Sequence, residues 1–275
     1  MQRTVSPIPR PPLAPLAMAL PLLIMLIRTA MAAPIEIRLH YVGAREEAAF
    51  LGVTQGLEEA NLQGRFLGQR YVLDVEDAQA RPTAILAALE EEALVAVAGR
   101  HPGIPVFNLS SDTDALRAKC LANLLHVIPS REMKRDALAQ WRKLHPDSEA
   151  RAQAWHPEFK KYSAEQLSKR FFKARGQAMD DGAWAGWAAV KLLSDSVARL
   201  DAAEPESLLD YIKTRLAFDG QKGIDMNFRP NGQLRQPLLL VEGGKIVGEA
   251  PVKGVVDIED LDSLGSSTCP QPDSR

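Results

Sequence analysis

Cysteine is scarce in this chain: Cys120 and Cys269 are the two examples among 275 residues. Two thiols do not make the framework of a small disulfide-stapled fold, so an apolar core has to hold the chain together. There is no basic run and no interleaving of aromatic with basic residues, and the formal charge is −2, which argues against nucleic acid as a partner. The apolar run at residues 16–27 has 12 residues, whereas a membrane span needs roughly 20. Catalytic signatures are missing as well: no G-x-S-x-G elbow, H-E-x-x-H pair, glycine-rich phosphate loop or C-x-x-C occurs. The histidines, His40, His101, His126, His145 and His156, show no metal-ligand spacing, and surface or capping roles are expected for them. A hydrolase built on Ser110, His126 and Asp112 can be written down, but nothing in the spacing requires it. The sequence therefore reads as a non-enzyme without metal or cofactor.

What remains is an ordinary globular balance, 46% hydrophobic and 25% charged, with room for one large or two small domains. Residues 1–32 read as a secretory leader, with Arg3 and Arg10 as the basic start, residues 16–27 as the apolar core, and Ala30-Met31-Ala32 as a small-x-small cleavage site. An uncleaved anchor is the alternative. Cleavage removes Arg3, Arg10 and Arg28 and leaves 30 basic against 35 acidic residues on the exported chain, with no membrane span expected after the leader is cut. Export permits a bond between Cys120 and Cys269, but Cys120 falls on the apolar face of a predicted helix and is expected to be simply buried.

Alternation over residues 35–42 predicts a strand, and Phe50, Val53, Leu57 and Ala60 predict a helix ended by the polar stretch 61–68. Residues 70–75 predict a second strand. Residues 83–100 suit one continuous helix, with a short strand at 94–98 as the alternative. The run 104–109 has strand length and follows the breaker pair Pro102-Gly103, and Leu116, Cys120, Leu121, Leu124 and Leu125 share one helical face behind it. Strand and helix thus alternate, the pattern of a doubly wound α/β lobe. From 130 to 217 the pattern is helical, with no β-branched run of strand length, and Trp184 and Trp187 sit at core spacing. Strands are expected at 224–228, 238–242 and 245–249, with Asn231-Gly232 and Gly243-Gly244 as turns.

Three regions carry a resemblance. Residues 35–77, with EEANLQG before FLGQRYVLDVED, the PVFNLSS strand leading to IPSREMKRDALA, and the closing FDGQKGIDMNFRPNGQLRQPLLLVEGGKIV together resemble the leucine/isoleucine/valine-binding group of type I periplasmic solute-binding proteins of ABC importers. Within that group, NLSSDTDALR, CLANLLHVIPSR and AWHPEF are most similar to binding proteins associated with PQQ-dependent alcohol dehydrogenase systems. The resemblance implies an α/β fold with a doubly wound parallel sheet, an inner-membrane permease as partner, and reversible capture of a small polar solute. The departure is equally specific. Fewer than thirty residues, with one predicted helix and no strand, separate Pro129 from Trp155, so an abbreviated relative with a truncated, mainly helical second lobe and C-terminal β-hairpins is expected. The expected divisions are a leader at 1–32, an α/β lobe at 33–129, a helical remnant at 130–217, a hairpin region at 218–256 and a loose tail at 257–275.

The resemblance directs attention to the strand-end loops. Tyr41 and Arg45 follow the first strand, and Asn108, Ser110, Ser111 and Asp112 follow the later one. Hydroxyls and free amides there suit a carboxylate or hydroxyl group, and Arg45 suits an acid. The same loop residues also suit a helix cap. Trp155 and His156 are the residues that would wall the cleft, although packing against the helical half is the expected role of Trp155. A rival reading is a shortened protein that holds no solute and acts through a periplasmic protein partner.

Overall fold

The computed structural model describes residues 34–75, 81–266 and 269. The expected leader lies outside the described residues.

Five parallel strands form the main sheet: β1 (Ile35–Val42), β2 (Gln69–Asp74), β3 (Ala84–Ala87), β4 (Val106–Asn108) and β5 (Leu124–His126), in the order β2-β1-β3-β4-β5. This is a doubly wound order, and its direction reverses between β1 and β3, where α/β sheets open a crevice outside the strands' carboxyl ends. Period-two alternation decides the faces. Ile37, Leu39, Tyr41, Leu86 and Phe107 join one core, while Ile85, Ala87, Val106 and Leu124 join the other.

Against the first face lie α1 (Ala48–Leu67), α5 (Ala164–Arg175), α6 (Asp181–Leu200) and α7 (Pro205–Thr214). Against the second lie α2 (Glu91–Arg100) and the short α3 (Asp114–Ala118). Helices α1 and α6 approach so closely that side chains are excluded at the crossing: a Cβ on Gly52 would sit 1.9 Å from the Ala183 carbonyl oxygen, and one on Gly186 would sit 2.1 Å from that of Ala49. Trp184 and Trp187 are fully buried here, as their spacing predicts.

A second core forms around α4 (Arg131–Arg142) and a three-stranded antiparallel sheet of β6 (Arg151–Gln153), β7 (Leu238–Glu242) and β8 (Lys245–Ala250). Met133, Ala137, Ala152, Leu238, Leu240 and Ala250 fill it. The Ser130 hydroxyl caps α4 by accepting the Met133 N–H at 3.1 Å. The helices of 130–217 therefore divide: α4 serves the small sheet, and α5 to α7 complete the core of the large one.

Several sequence expectations are corrected. Residues 83–100 are not one helix, because Ala84–Ala87 is a central strand buried on both faces, where the apolar signal loses its period. The helix expected through Leu125 stops at Ala118, and Leu124–His126 is a strand. Cys120 is only half-buried and is bonded to Cys269. The polar segment Arg151–Gln153 is a strand by pairing with β7, whereas 224–228 makes only isolated bridges at Met226 and Phe228. Residues 257–266 of the expected loose tail are held: the buried Arg229 guanidinium donates to the carbonyls of Leu261 (2.7 Å) and Leu264 (2.8 Å), and the Gly265 N–H donates to Asp136 at 2.7 Å.

Candidate functional site

The carboxyl ends of β1, β3 and β4 are laced together. The Ala88 N–H donates to the Val42 carbonyl at 2.9 Å, the Leu109 N–H to that of Ala87 at 2.9 Å, and the Ser110 hydroxyl to that of Leu89 at 3.1 Å. The loops after these strands thus share one end of the sheet, and Tyr41, Arg45, Asn108, Ser110, Ser111 and Asp112 are on or beside them.

Asn108 acts as a clasp. Its Oδ1 accepts the N–H groups of Ser110 (3.2 Å) and Ser111 (2.9 Å), its Nδ2 donates to the Ser111 carbonyl at 2.7 Å, and Nδ2 also meets His126 Nδ1 at 3.0 Å. Both donors and both acceptor positions of the amide are thereby used. Nδ1 of His126 must accept, so its proton lies on Nε2. Burial, reinforced by the nearby Arg117 charge, holds the His126 pKa well below its ordinary value. Arg117 is itself buried and donates to Gln233 Oε1 (2.9 Å) and to the carbonyls of Ser111 (2.7 Å), Thr113 (3.1 Å) and Ile128 (2.9 Å). This network fixes the loop.

Other expected contacts are engaged within the protein. The Tyr41 ring is buried, its hydroxyl donates to the Ala44 carbonyl at 3.1 Å, and burial raises its pKa. Asp112 accepts from Arg131 Nε (2.8 Å) and Lys134 Nζ (3.3 Å), tying the loop to α4. Arg45 and Ser110 are exposed. Ser111 is buried, and its hydroxyl makes no hydrogen bond.

Trp155 and His156 lie where α6 begins. The α6 N-terminus abuts that of α1, since a Cβ on Gly182 would contact Ala48 Cβ at 3.6 Å, and α1 follows directly on the loop that carries Arg45. Trp155 is buried, its ring stacked on Trp184 at a centroid distance of 6.2 Å with 12° between the planes. Its backbone N–H donates to Asp181 Oδ1 at 2.9 Å. His156 is half-buried, and its Nδ1 accepts the Glu158 N–H at 3.3 Å. These residues line a cavity of about 330 Å³ with Gln153, Met179, Asp180 and Asp181. Trp155 Nε1 and Gln153 Oε1 are both buried without a hydrogen-bond partner. Burial raises the Asp181 pKa, opposed by the Trp155 N–H.

Sequence reasoning missed Gln153, Asp180 and Asp181. The Asp180-Asp181-Gly182 stretch ahead of an apolar helix is a visible N-terminal signal, and Asp180 does cap α6 by accepting the Ala183 N–H at 2.9 Å. Among the described residues no group of histidine, cysteine, aspartate or glutamate could hold a metal ion, and no helix is long and apolar enough to cross a membrane.

No protein-family model and no curated protein matches this sequence. Solved structures do. The branched-chain amino acid transporter substrate-binding protein LivJ of Streptococcus pneumoniae, in complex with isoleucine, is 10% identical with a TM-score of 0.61, over 78% of this chain and 98% of that one. An ABC transporter substrate-binding protein of Desulfitobacterium hafniense, in complex with leucine, is 12% identical with a TM-score of 0.63, over 78% and 99%. A periplasmic binding protein of Burkholderia mallei is 8% identical with a TM-score of 0.62, over 85% and 99%. The chain thus has the mixed α/β fold, on a five-stranded parallel sheet, that is found in the substrate-binding proteins of ABC transporters.

Proposed function

We propose that this protein is the periplasmic, non-enzymatic solute-binding component of an ABC importer, which holds a small polar solute beside the strand ends and presents it to an inner-membrane permease. The observation that carries this reading is the pair of unpartnered buried atoms on residues of one cavity, Trp155 Nε1 as donor and Gln153 Oε1 as acceptor. Buried polar groups are otherwise almost always hydrogen-bonded, so a solute with both an acceptor and a donor completes the site. We assign direct contact to Trp155, His156, Ser110, Ser111 and Arg45. Tyr41, Asn108 and Asp112 position the loops: Tyr41 is buried, the Asn108 amide has both donors and both acceptor positions in use, and Asp112 binds Arg131 and Lys134. On this reading residues 1–32 are removed on export and the small second lobe is an abbreviated one. The likeness of 108–117 and 154–159 to proteins of PQQ-dependent alcohol oxidation puts alcohols, aldehydes and short organic acids first among candidate solutes.

Thermal-shift screening of the mature protein against those classes and amino acids tests this. A ligand at about 100 times its Kd adds about 2.7 kcal/mol, which for a chain of this size raises Tm by about 5–10 °C. Trp155→Phe keeps an aromatic ring and removes the donor, so it should weaken the same shift. A panel that moves Tm nowhere would hand the function to the rival, contact with a periplasmic protein partner.

A further inference from the structure

The cavity beside Trp155, about 330 Å³, stands at the lower end of the range for small-molecule sites. Pro157, Ala178 and the buried Met179 give it an apolar lining.

Its polar groups differ in what they have left to offer. Asp180 Oδ1 accepts the Ala183 N–H and Asp181 Oδ1 the Trp155 N–H, both at 2.9 Å, and His156 Nδ1 accepts the Glu158 N–H at 3.3 Å. Trp155 Nε1 can only donate and Gln153 Oε1 can only accept; both are buried, and neither has a partner. Trp155 is 1% exposed, so its indole N–H is cut off from bulk solvent. A hydroxyl group accepts and donates while carrying no charge, and so it answers both demands.

The charges decide against ions. Asp180 and Asp181 line the cavity, and no lysine or arginine does. The two amines whose fields reach Asp181 are bound elsewhere: Lys134 Nζ donates to Asp112 at 3.3 Å, and Lys222 Nζ to Gln236 Oε1 (2.8 Å) and the Pro237 carbonyl (3.0 Å). A carboxylate entering here would lose water against like charge, with no cation in the lining to pair with. An ammonium ion suits the aspartates but has no lone pair for the Trp155 N–H. An amino acid supplies that lone pair only through its carboxylate, which meets the same repulsion.

We infer, resting on the solute-binding reading above, that this site takes a short uncharged alcohol and that Asp180 and Asp181 make it reject the corresponding carboxylate. Calorimetric titration of the mature protein with 1-butanol, butyrate, butylammonium and leucine tests it. 1-Butanol should bind at least about tenfold more tightly than any of the three ions. Gln153→Leu removes the open acceptor from a strand that is held by backbone pairing to β7, so it should keep the wild-type circular dichroism and weaken 1-butanol several-fold. Asp180→Asn keeps a side-chain oxygen to cap α6 and removes one charge, so the ratio of 1-butanol to butyrate affinity should fall several-fold. A purely structural Asp180 would leave that ratio where it was. An ion that binds as tightly as 1-butanol, a ratio unmoved by Asp180→Asn, or 1-butanol binding indifferent to Gln153→Leu would each overturn the inference and leave the solute-binding reading standing. Absence of binding by every compound of this set and of the wider thermal-shift panel would overturn both.

Discussion

Replacing Lys222 with methionine tests the electrostatics of the interior. The ammonium lies over the Trp184 ring, 4.0 Å from its centroid, and is bonded to two neutral oxygens. Burial lowers its pKa from 10.5 to about 7, partly offset by Asp181 and Glu249. In the unfolded chain the group keeps its proton up to about pH 10.4, so at pH 7 the folded state gives up roughly 4 kcal/mol to keep this group buried. Methionine removes that penalty, but it leaves Gln236 Oε1 and the Pro237 carbonyl without their donor, at about 1–3 kcal/mol each. The net change at pH 7 is therefore small, and the pH dependence is the decisive quantity. Between pH 7 and about pH 10 the unfolded chain binds more protons at this position than the folded one does, so raising the pH stabilises the wild type. From pH 7 to pH 9 the wild type should gain about 2 kcal/mol relative to Lys222→Met, read from urea unfolding at both pH values. Parallel changes in the two proteins would show that this lysine is not held as a buried, displaced base.

Two further outcomes follow from the packing and the loop network. Gly186→Ala should destabilise the protein by about 1–3 kcal/mol or more, because its Cβ would meet the Ala49 carbonyl at 2.1 Å. Gly99→Ala, in α2 with open space around it, should stabilise by about 0.5–1 kcal/mol, so opposite signs in thermal unfolding are the check. His126→Gln should flatten the acid side of the stability curve. The wild-type imidazole is held neutral by burial when folded and charges at about pH 6.5 when unfolded, so wild-type stability should fall more steeply than the variant's as the pH is lowered through 6.5. Identical slopes would refute the buried neutral tautomer that Asn108 requires.

The sequence by itself determined the elements whose side chains repeat with a period. Ile37, Leu39 and Tyr41 alternate into one face of β1, and Trp184, Trp187 and Val190 step around the buried side of α6. It also showed the loop from Asn108 to Asp112, because strand ends and helix starts carry their own polar residues. Tertiary structure decided what depends on distant partners. Ala84–Ala87 and Leu124–His126 are strands because they are covered on both faces, and Arg151–Gln153 is one because β7 lies beside it. Cys120 meets Cys269 across a separation of 149 residues, and no local spacing encodes that meeting. Tyr41, Asn108 and Asp112 offered suitable polar groups to a solute, yet the fold engages those groups internally and leaves Trp155 Nε1 and Gln153 Oε1 without partners. Periodicity is a property of neighbours along the chain, whereas whether a polar atom is satisfied depends on atoms far away in sequence, and only the folded chain brings those together.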